Sequence, residues 1–311
     1  MIHMEKPRVA VIGSGSIGLL LYAYLKLANW PALLVTNRPE QADHLNKEGL
    51  TFVAKSGEHQ PISVTATPLS SFYAEEAEVG FITVKSFAVK ALLPQLQRKK
   101  WDGLVFFQNG MTHLEILRQI PARAICCGIV EIGAKRESDV RVQHTGDGTI
   151  WIGDMVGDSK NFDPMWACLH NVGLKAQKVT NWRDKMERKL IANAAINPLT
   201  GLFRVKNGAL IENQLFSLLL KELVKEACVT LGREREVDEH LAYTRAICDK
   251  TANNLSSMYM DLTHHRRTEI ESITGYLIKE AAKKGIEIPN TSFVYHAVMG
   301  MDEEGRKVRM G

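Results

Sequence analysis

Three polar side chains stand in an otherwise apolar, alanine-rich run at residues 189–199, which reads KLIANAAINPL. Lys189, Asn193 and Asn197 follow one another at a spacing of four. Four residues carry an α-helix through about 400°, so each step drifts by only about 40° and the three side chains share one stripe. Burying amides and an ammonium costs free energy unless each finds a partner. Two readings follow from the run alone. In one, Lys189 ends a solvated turn and the asparagines satisfy neighbouring helix ends. In the other, the stripe faces a reacting group: an ammonium in apolar surroundings is destabilised by desolvation, which lowers its pKa and makes it a better proton donor. Asn193 and Asn197 then act as neutral donors and acceptors. Pro198 disfavours helical geometry at the residue before it, which predicts that the helix bends or ends at Asn197 and turns that side chain toward a cleft.

A second constellation lies near the amino terminus. VAVIGSGSIGLLLYAYL places Gly13, Gly15 and Gly18 directly after a strand pattern and at the start of a helical one. In that context Gly13 allows a tight turn, Gly15 lets backbone N–H groups approach a pyrophosphate, and Gly18 permits close packing of helix on strand. The intervening Ser14, Ser16 and Ile17 matter less, because the backbone does the binding. The end of the second strand chooses between cofactors: a carboxylate there holds a ribose 2′-hydroxyl, an arginine a 2′-phosphate. Here it reads Val35-Thr36-Asn37-Arg38-Pro39, with no carboxylate before Glu40. Arg38 thus points to NADP(H), with Asn37 as an additional hydrogen-bond partner; the plain alternative is a surface arginine in a loop. Lys85 in FITVKSF and Asn109 in LVFFQNGM end two further strand patterns, where a doubly wound sheet presents its ligand crevice. Asn109-Gly110 also reads as a tight turn, and Lys85 as a side chain snorkelling from a strand end.

The elements that must position these groups change character along the chain. From Pro7 to about Thr180, the short β-branched runs RVAVIG, ALLVT, EVGFITVK, GLVFFQNG, RAICCGIVEIG and GTIWIG alternate with helical or turn stretches. That is the pattern of an α/β domain with a mostly parallel sheet. DVRVQHTGDGTIWIG, with its Gly-Asp-Gly turn, predicts an antiparallel hairpin at the edge or end of that sheet. From about Arg183 the pattern becomes long amphipathic helices, with Gly232 and Gly285 as helix stops and Pro289 just beyond the second. The expected domains are therefore 1–182, Rossmann-like and cofactor-binding, and 183–311, all-helical and carrying substrate chemistry. The tail MDEEGRKVRMG is charged and unpatterned and is expected to fray.

Composition narrows the class. A chain of 311 residues with 45% hydrophobic and 24% charged residues excludes fibrous and disordered proteins. Lys+Arg exceed Asp+Glu by 39 − 35 = 4, which suits anionic small molecules and gives no basic face for nucleic acid. HHRR at 264–267 reads as a solvated turn. The five cysteines show neither C-x-x-C nor metal-ligand spacing, so no metal is expected. Reduced cysteines, no secretory segment and no apolar run of membrane-spanning length predict a cytoplasmic protein away from membranes. The broadly apolar NQLFSLLLKELVKEACVTL helix could cover its own core or a second copy, which leaves a homodimer open.

With the glycine loop, TVKSF, QNGM, ERKLIANAAINPLTG, NNLSSMYMDL and HHRRTEIESITGYL in that order over nearly the full length, the chain resembles the ketopantoate reductases, or 2-dehydropantoate 2-reductases. The motifs of the helical half are the specific ones; the glycine loop alone would fit many oxidoreductases. The resemblance implies NADPH-dependent reduction of 2-dehydropantoate to (R)-pantoate, on the way to pantothenate and coenzyme A, in a cleft between a Rossmann domain and a helical domain. It places the family's catalytic lysine on Lys189 and its asparagines on Asn193 and Asn197. Its substrate-contacting residues fall on Asn254, Ser257 and Glu269, and its 2′-phosphate arginine on Arg38. Lys85 and Asn109 match residues that approach the nicotinamide and the substrate.

Glu269 poses a geometrical question. On one straight helix, Ser257 and Glu269 would stand roughly 18 Å apart, too far to touch one small molecule. A break is needed, and Thr268-Glu269-Ile270-Glu271 supplies one if Thr268 and Glu271 form a capping box with Glu269 in the first turn of a new helix. Glu269 is then expected to bind the substrate hydroxyl and help orient Lys189. Two other functions stay in view. One is reduction of another branched 2-oxo acid, since a methylene in a pocket discriminates by only about 1–3 kcal/mol. The other is a non-catalytic NADPH sensor, against which Lys189 and Glu269 together weigh.

Overall fold

The computed structural model describes residues 6–310, which form two compact units: one comprises the described residues through Gln108 together with Leu114–Trp182, the other Asn109–His113 together with Arg183 onward. In the first unit the elements run β1 (Val9–Ile12), α1 (Ser16–Leu27), β2 (Ala32–Thr36), α2 (Pro39–Glu48), β3 (Leu50–Val53), β4 (His59–Ile62), β5 (Ala66–Pro68), β6 (Val79–Ile82), α3 (Ser86–Gln97) and β7 (Trp101–Phe106). They continue as α4 (Leu114–Leu117), β8 (Ala122–Val130), β9 (Gly133–Ser138), β10 (Arg141–Gly146), β11 (Ile150–Val156), α5 (Asp163–Asn171) and β12 (Ala176–Lys178).

Eight strands form one sheet in the order β12-β11-β8-β7-β6-β1-β2-β5. It is parallel from β8 through β5, while β11 runs antiparallel to β8 and carries β12 parallel to itself. Every residue of β1, β2 and β6 is buried, as expected of strands covered on both faces. Alternate residues supply two cores. Val9, Val11, Leu34 and Phe81 pack with α1 on one side, while Ala10, Ile12, Leu33 and Ile82 pack with Val89, Leu92 and Leu96 of α3 on the other. Strand order reverses between β1 and β6, and a doubly wound sheet opens its crevice at the carboxyl ends of those two strands.

Helix α1 is apolar all round because it lies between two sheets. β3, β4, β9 and β10 form a four-stranded sheet in the order β4-β3-β10-β9 that packs on the outer side of α1, with Tyr24 of α1 edge-on to Phe52 of β3 at 5.2 Å. Leu19, Leu20, Leu21 and Leu25 are wholly buried, each contributing about 1.5–3 kcal/mol by leaving water. The second sheet corrects one expectation: β10 and β11 do not pair across Gly-Asp-Gly. β10 pairs antiparallel with β9 and parallel with β3, and β11 joins the large sheet beside β8. The hairpin turns instead at Asp139-Val140. Ile150 and Ile152 of β11 are wholly buried, and that burial is available only in the large sheet.

The second unit is helical: α6 (Trp182–Phe203, its first residue in the first unit), α7 (Ala209–Glu212), α8 (Gln214–Leu231), α9 (Val237–Lys250), α10 (Ser257–Thr263), α11 (Ile270–Lys284) and α12 (Pro289–Met310). α8 packs against α7, α9, α11 and α12. Its amino terminus is capped by Asn213, whose side chain accepts from the Leu215 and Phe216 amides at 2.9 and 3.3 Å. Gly232 and Gly285 end α8 and α11 in left-handed conformation, as the sequence predicts. Of the bend or end predicted at Asn197, the end does not occur: α6 runs through Pro198 to Phe203. An interior proline costs about 3 kcal/mol, and here the burial of Ala194, Ala195, Ile196 and Leu199 offsets it, while Thr200 Oγ1 donates to the Ile196 carbonyl at 2.7 Å. The tail, expected to lack regular structure, is helical: α12 extends to Met310, and Asp302 is only 4% exposed. Among the described residues no helix is long and apolar enough to cross a membrane, and no cluster of His, Cys, Asp or Glu could hold a metal ion.

Candidate active site

The glycine loop leaves β1 at the strand-order reversal. Gly13 has φ +119°, a conformation that excludes ordinary side chains, and a Cβ on Gly18 would overlap the Gly13 carbonyl oxygen. Thr83, just past β6, donates its hydroxyl to the Ile12 and Gly13 carbonyls at 3.1 and 2.8 Å, clamping the loop to the neighbouring strand. Around Gly15, by contrast, an added Cβ would meet nothing within 4 Å, and no side chain caps the first turn of α1. A tight turn, an open face at the middle glycine and uncapped helix amides are what a dinucleotide pyrophosphate requires, so these residues fit such a group.

Arg38 stands at the end of β2, where Thr36 Oγ1 donates to its carbonyl at 2.8 Å and shapes the turn. Asn37 beside it is exposed. The guanidinium of Arg38 lies 2.5 Å from Asp139 Oδ1, and that same oxygen accepts from Arg136 Nη2 at 3.0 Å. Burial pushes the Asp139 carboxyl up, but the hydrogen bond and charge of Arg38, joined by Arg136, outweigh it and hold the group below the usual aspartate value. Arg136 also reaches the loop, with Nη1 donating to the Ser14 carbonyl at 3.1 Å and its amide to Ser16 Oγ at 3.3 Å. Gln41, buried on α2, donates to the Ser14 and Asp139 carbonyls and accepts from Ser14 Oγ at 2.7 Å. Reading along the chain missed Gln41, Arg136 and Asp139. The β9–β10 hairpin brings the last two in from far along the sequence, and no local motif marks them.

Lys85 is half-buried at the start of α3. Gln108, also unforeseen, ends the neighbouring strand pattern and donates to the Ile82 and Val84 carbonyls at 2.8 and 2.9 Å, tying the carboxyl ends of β6 and β7 together.

The remaining predicted residues, Asn109, Lys189, Asn193, Asn197, Asn254, Ser257 and Glu269, all belong to the helical unit. Asn109 Nδ2 donates to Glu269 Oε2 at 3.1 Å. The 109–111 backbone docks on the first turn of α11: the Met111 amide donates to the Ser272 carbonyl, and Ser272 Oγ to the Asn109 carbonyl, both at 3.1 Å. Gly110 makes this approach possible, with φ +77° and no room for a Cβ against the Ser272 carbonyl. Glu269 is 6% exposed and sits at the amino-terminal boundary of α11, where the helix dipole favours a carboxylate by about 0.3–1 kcal/mol.

The predicted break before Glu269 exists, since α10 ends at Thr263 and α11 begins at Ile270; the capping box does not form. Glu271 pairs with Arg267 at 3.2 Å instead of reaching back, and the Thr268 amide is held by the Asp302 carboxylate of α12 at 3.2 Å. His113 completes this corner. It is buried, and neither ring nitrogen has a hydrogen-bond partner. Burial pushes its pKa down to about 4 although the charge of Glu269 pulls the other way, so the ring is neutral at pH 7.

On α6, Lys189 and Asn193 are half-buried and Asn197 is 7% exposed. Two residues before Lys189, and so about 200° around the helix, the buried Glu187 accepts from Arg233 Nε at 2.9 Å and from Arg183 Nε at 3.0 Å. This network fixes the rotation of α6 from the side away from Lys189. Asn254 and Ser257 are exposed. Their loop is tied to α6 through Ser256, whose hydroxyl oxygen lies within hydrogen-bond distance of Thr200 Oγ1, at 2.7 Å, and accepts the Tyr259 amide at 3.0 Å.

A dinucleotide-binding sheet followed by a helical unit rich in site polar groups defines the architectural class. Residues 9–157 match the family model described as ketopantoate reductase PanE/ApbA, and residues 181–302 match its C-terminal counterpart. The chain is 35% identical over 305 residues to the 2-dehydropantoate 2-reductase of Listeria monocytogenes, covering 96% of this chain and 97% of that protein. It is 33% identical over 303 residues to that of Bacillus subtilis, covering 97% and 99%. The crystal structure of a probable 2-dehydropantoate 2-reductase from Bacillus subtilis superposes with a TM-score of 0.81 at 32% identity, over 94% of this chain and 99% of that one. The chain belongs to the ketopantoate reductase family.

Proposed function

We propose that the protein is an NADPH-dependent 2-dehydropantoate 2-reductase, forming (R)-pantoate for pantothenate and coenzyme A synthesis. Residues 1–182 act as the cofactor-binding domain and 183–311 as the catalytic one. Gly13, Ser14, Gly15, Ser16, Ile17 and Gly18 hold the pyrophosphate, Asn37 and Arg38 the phosphorylated ribose, and Lys85 and Asn109 the nicotinamide end. Bound NADPH supplies a hydride equivalent to the ketone carbon. As that carbon is reduced, negative charge collects on the carbonyl oxygen; the Lys189 ammonium stabilises it and delivers a proton there, leaving an alcohol. Asn193, Asn197, Asn254 and Ser257 orient the carboxylate and the chain of the substrate, and Glu269 accepts a hydrogen bond from its hydroxyl.

The observation that carries this reading is the buried Glu269 carboxylate, held by Asn109 at 3.1 Å in the unit that also bears the Lys189 stripe. A silent cofactor sensor has no use for such a pair. Loss of NADPH absorbance on adding 2-dehydropantoate tests the reading, and no oxidation above background would overturn it. A kcat/KM panel of branched 2-oxo acids then ranks the substrate. For partners, the exposed Leu215 and Leu218 of α8, at 71% and 61%, support a second copy of the chain on that face, which sedimentation of a Leu215→Glu variant tests. Five cysteines without a disulfide support a reducing, cytoplasmic compartment.

A further inference from the structure

Two guanidinium groups converge on one carboxylate oxygen beside the glycine loop. Arg38 arrives from the end of β2 and Arg136 from β9, and they reach Asp139 Oδ1 at 2.5 and 3.0 Å. The arrangement is held from behind. Gln41 donates to the carbonyls of Ser14 and Asp139 at 3.3 and 3.2 Å, and Arg136 is pinned to the loop by the Ser14 carbonyl at 3.1 Å. The front is open: the side chains of Arg38, Arg136 and Asp139 are 50%, 36% and 23% exposed. Two cations against one carboxylate leave a net positive charge at the strand end where a bound dinucleotide presents its adenosine ribose. A phosphate monoester there would take charge-assisted hydrogen bonds from both forks in place of Asp139. A bare ribose hydroxyl would instead find the Asp139 carboxylate as acceptor.

We propose that Arg136 is a second 2′-phosphate-binding residue acting with Arg38, and that Asp139 sets the preference between phosphorylated and unphosphorylated cofactor by competing for both arginines. This rests on the NADPH reading above. The carboxylate that an NAD(H) site carries at the end of β2 is missing from that segment of the chain, yet Asp139 restores one in space, neutralised by the two cations.

The test is equilibrium binding to the full chain: NADPH against NADH by fluorescence, and adenosine 2′-monophosphate against adenosine 5′-monophosphate by calorimetry. Arg136→Ala is expected to weaken NADPH and the 2′-monophosphate by about tenfold or more, the scale of one hydrogen bond to a charged group, and to leave NADH and the 5′-monophosphate nearly unchanged. Arg136→Lys should recover part of the loss. Equal weakening of NADPH and NADH would overturn the proposal, because Arg136 then only shapes the loop. Asp139→Asn decides independently. It should tighten NADPH and weaken NADH, and an unchanged ratio of the two sinks the competition. A wild-type protein that binds NADH as tightly as NADPH would instead refute the cofactor reading itself, separately from any effect of the variants.

Discussion

Lys189 and Glu269 make separable claims on the reaction. If Lys189 delivers the proton, Lys189→Ala loses at least about a hundredfold in kcat, the scale of general acid catalysis, with NADPH affinity retained. Steady-state kinetics beside cofactor titration checks this, and near-normal turnover would return the lysine to a structural role. Glu269→Gln keeps the shape and removes the charge. It should lower kcat/KM for 2-dehydropantoate by about tenfold or more, as expected of a hydrogen bond to an ionised group, and leave NADPH binding alone. Spacing singled out Lys189 as a candidate, because three polar residues at intervals of four in an apolar helix are conspicuous. The surroundings of Glu269 were illegible in the sequence: Asn109 and His113 come from one distant segment and Asp302 from another, and only folding puts them near it.

Among the elements, α11 owes its start to another helix. The Thr268 amide is buried and donates to the Asp302 carboxylate at 3.2 and 3.3 Å. Asp302→Ala would leave that donor without an acceptor, at a cost of about 1–3 kcal/mol. The expected result is a lower urea midpoint and a loss of kcat/KM on 2-dehydropantoate; Asp302→Asn, which keeps an acceptor, should restore most of both. Equal behaviour of the two variants would speak against the contact. The inner strands of the large sheet were readable because strands buried on both faces appear as continuous β-branched runs, whereas its two edge strands, the three-residue β5 and β12, carry no such run and were not. The small sheet was not. β4, His59–Ile62, is mostly exposed and shows no apolar period, and the Gly-Asp-Gly turn suggested the wrong partner for β10. Local turn chemistry proposes a hairpin, and burial of β11 decides against it. Thr268-x-x-Glu271 has the letters of a capping box, but Glu271 is drawn off by Arg267.

Taken whole, the molecule should lose stability on mild acidification through its buried histidines, since burial lowers His144 and His240 as well as His113, which shifts furthest. The His113 pKa falls from 6.5 in the unfolded chain to about 4 in the fold. Between those values the unfolded chain binds a proton that the folded chain refuses. The contribution of the neutral ring is therefore complete above pH 6.5 and is lost as pH falls toward 4, by about 3 kcal/mol in all. Urea unfolding at pH 7 and pH 5 should show the drop. His113→Leu should reduce it, leaving the part due to His144 and His240, and an undiminished slope in that variant would assign the effect to other groups.

The grouping of Asn109–His113 with the helices limits how this enzyme can be rebuilt by recombination. A chimera joined only at residue 183 would inherit Glu269, Ser272 and the receiving surface for Gly110 from one parent, and the five-residue plug that fits them from the other. Asn109 and Gly110 would have to match by descent, since a Cβ at position 110 has no space. Exchanging the helical half without residues 109–113 therefore grafts a lock without its key, and functional chimeras should need three crossovers where the domain diagram suggests one.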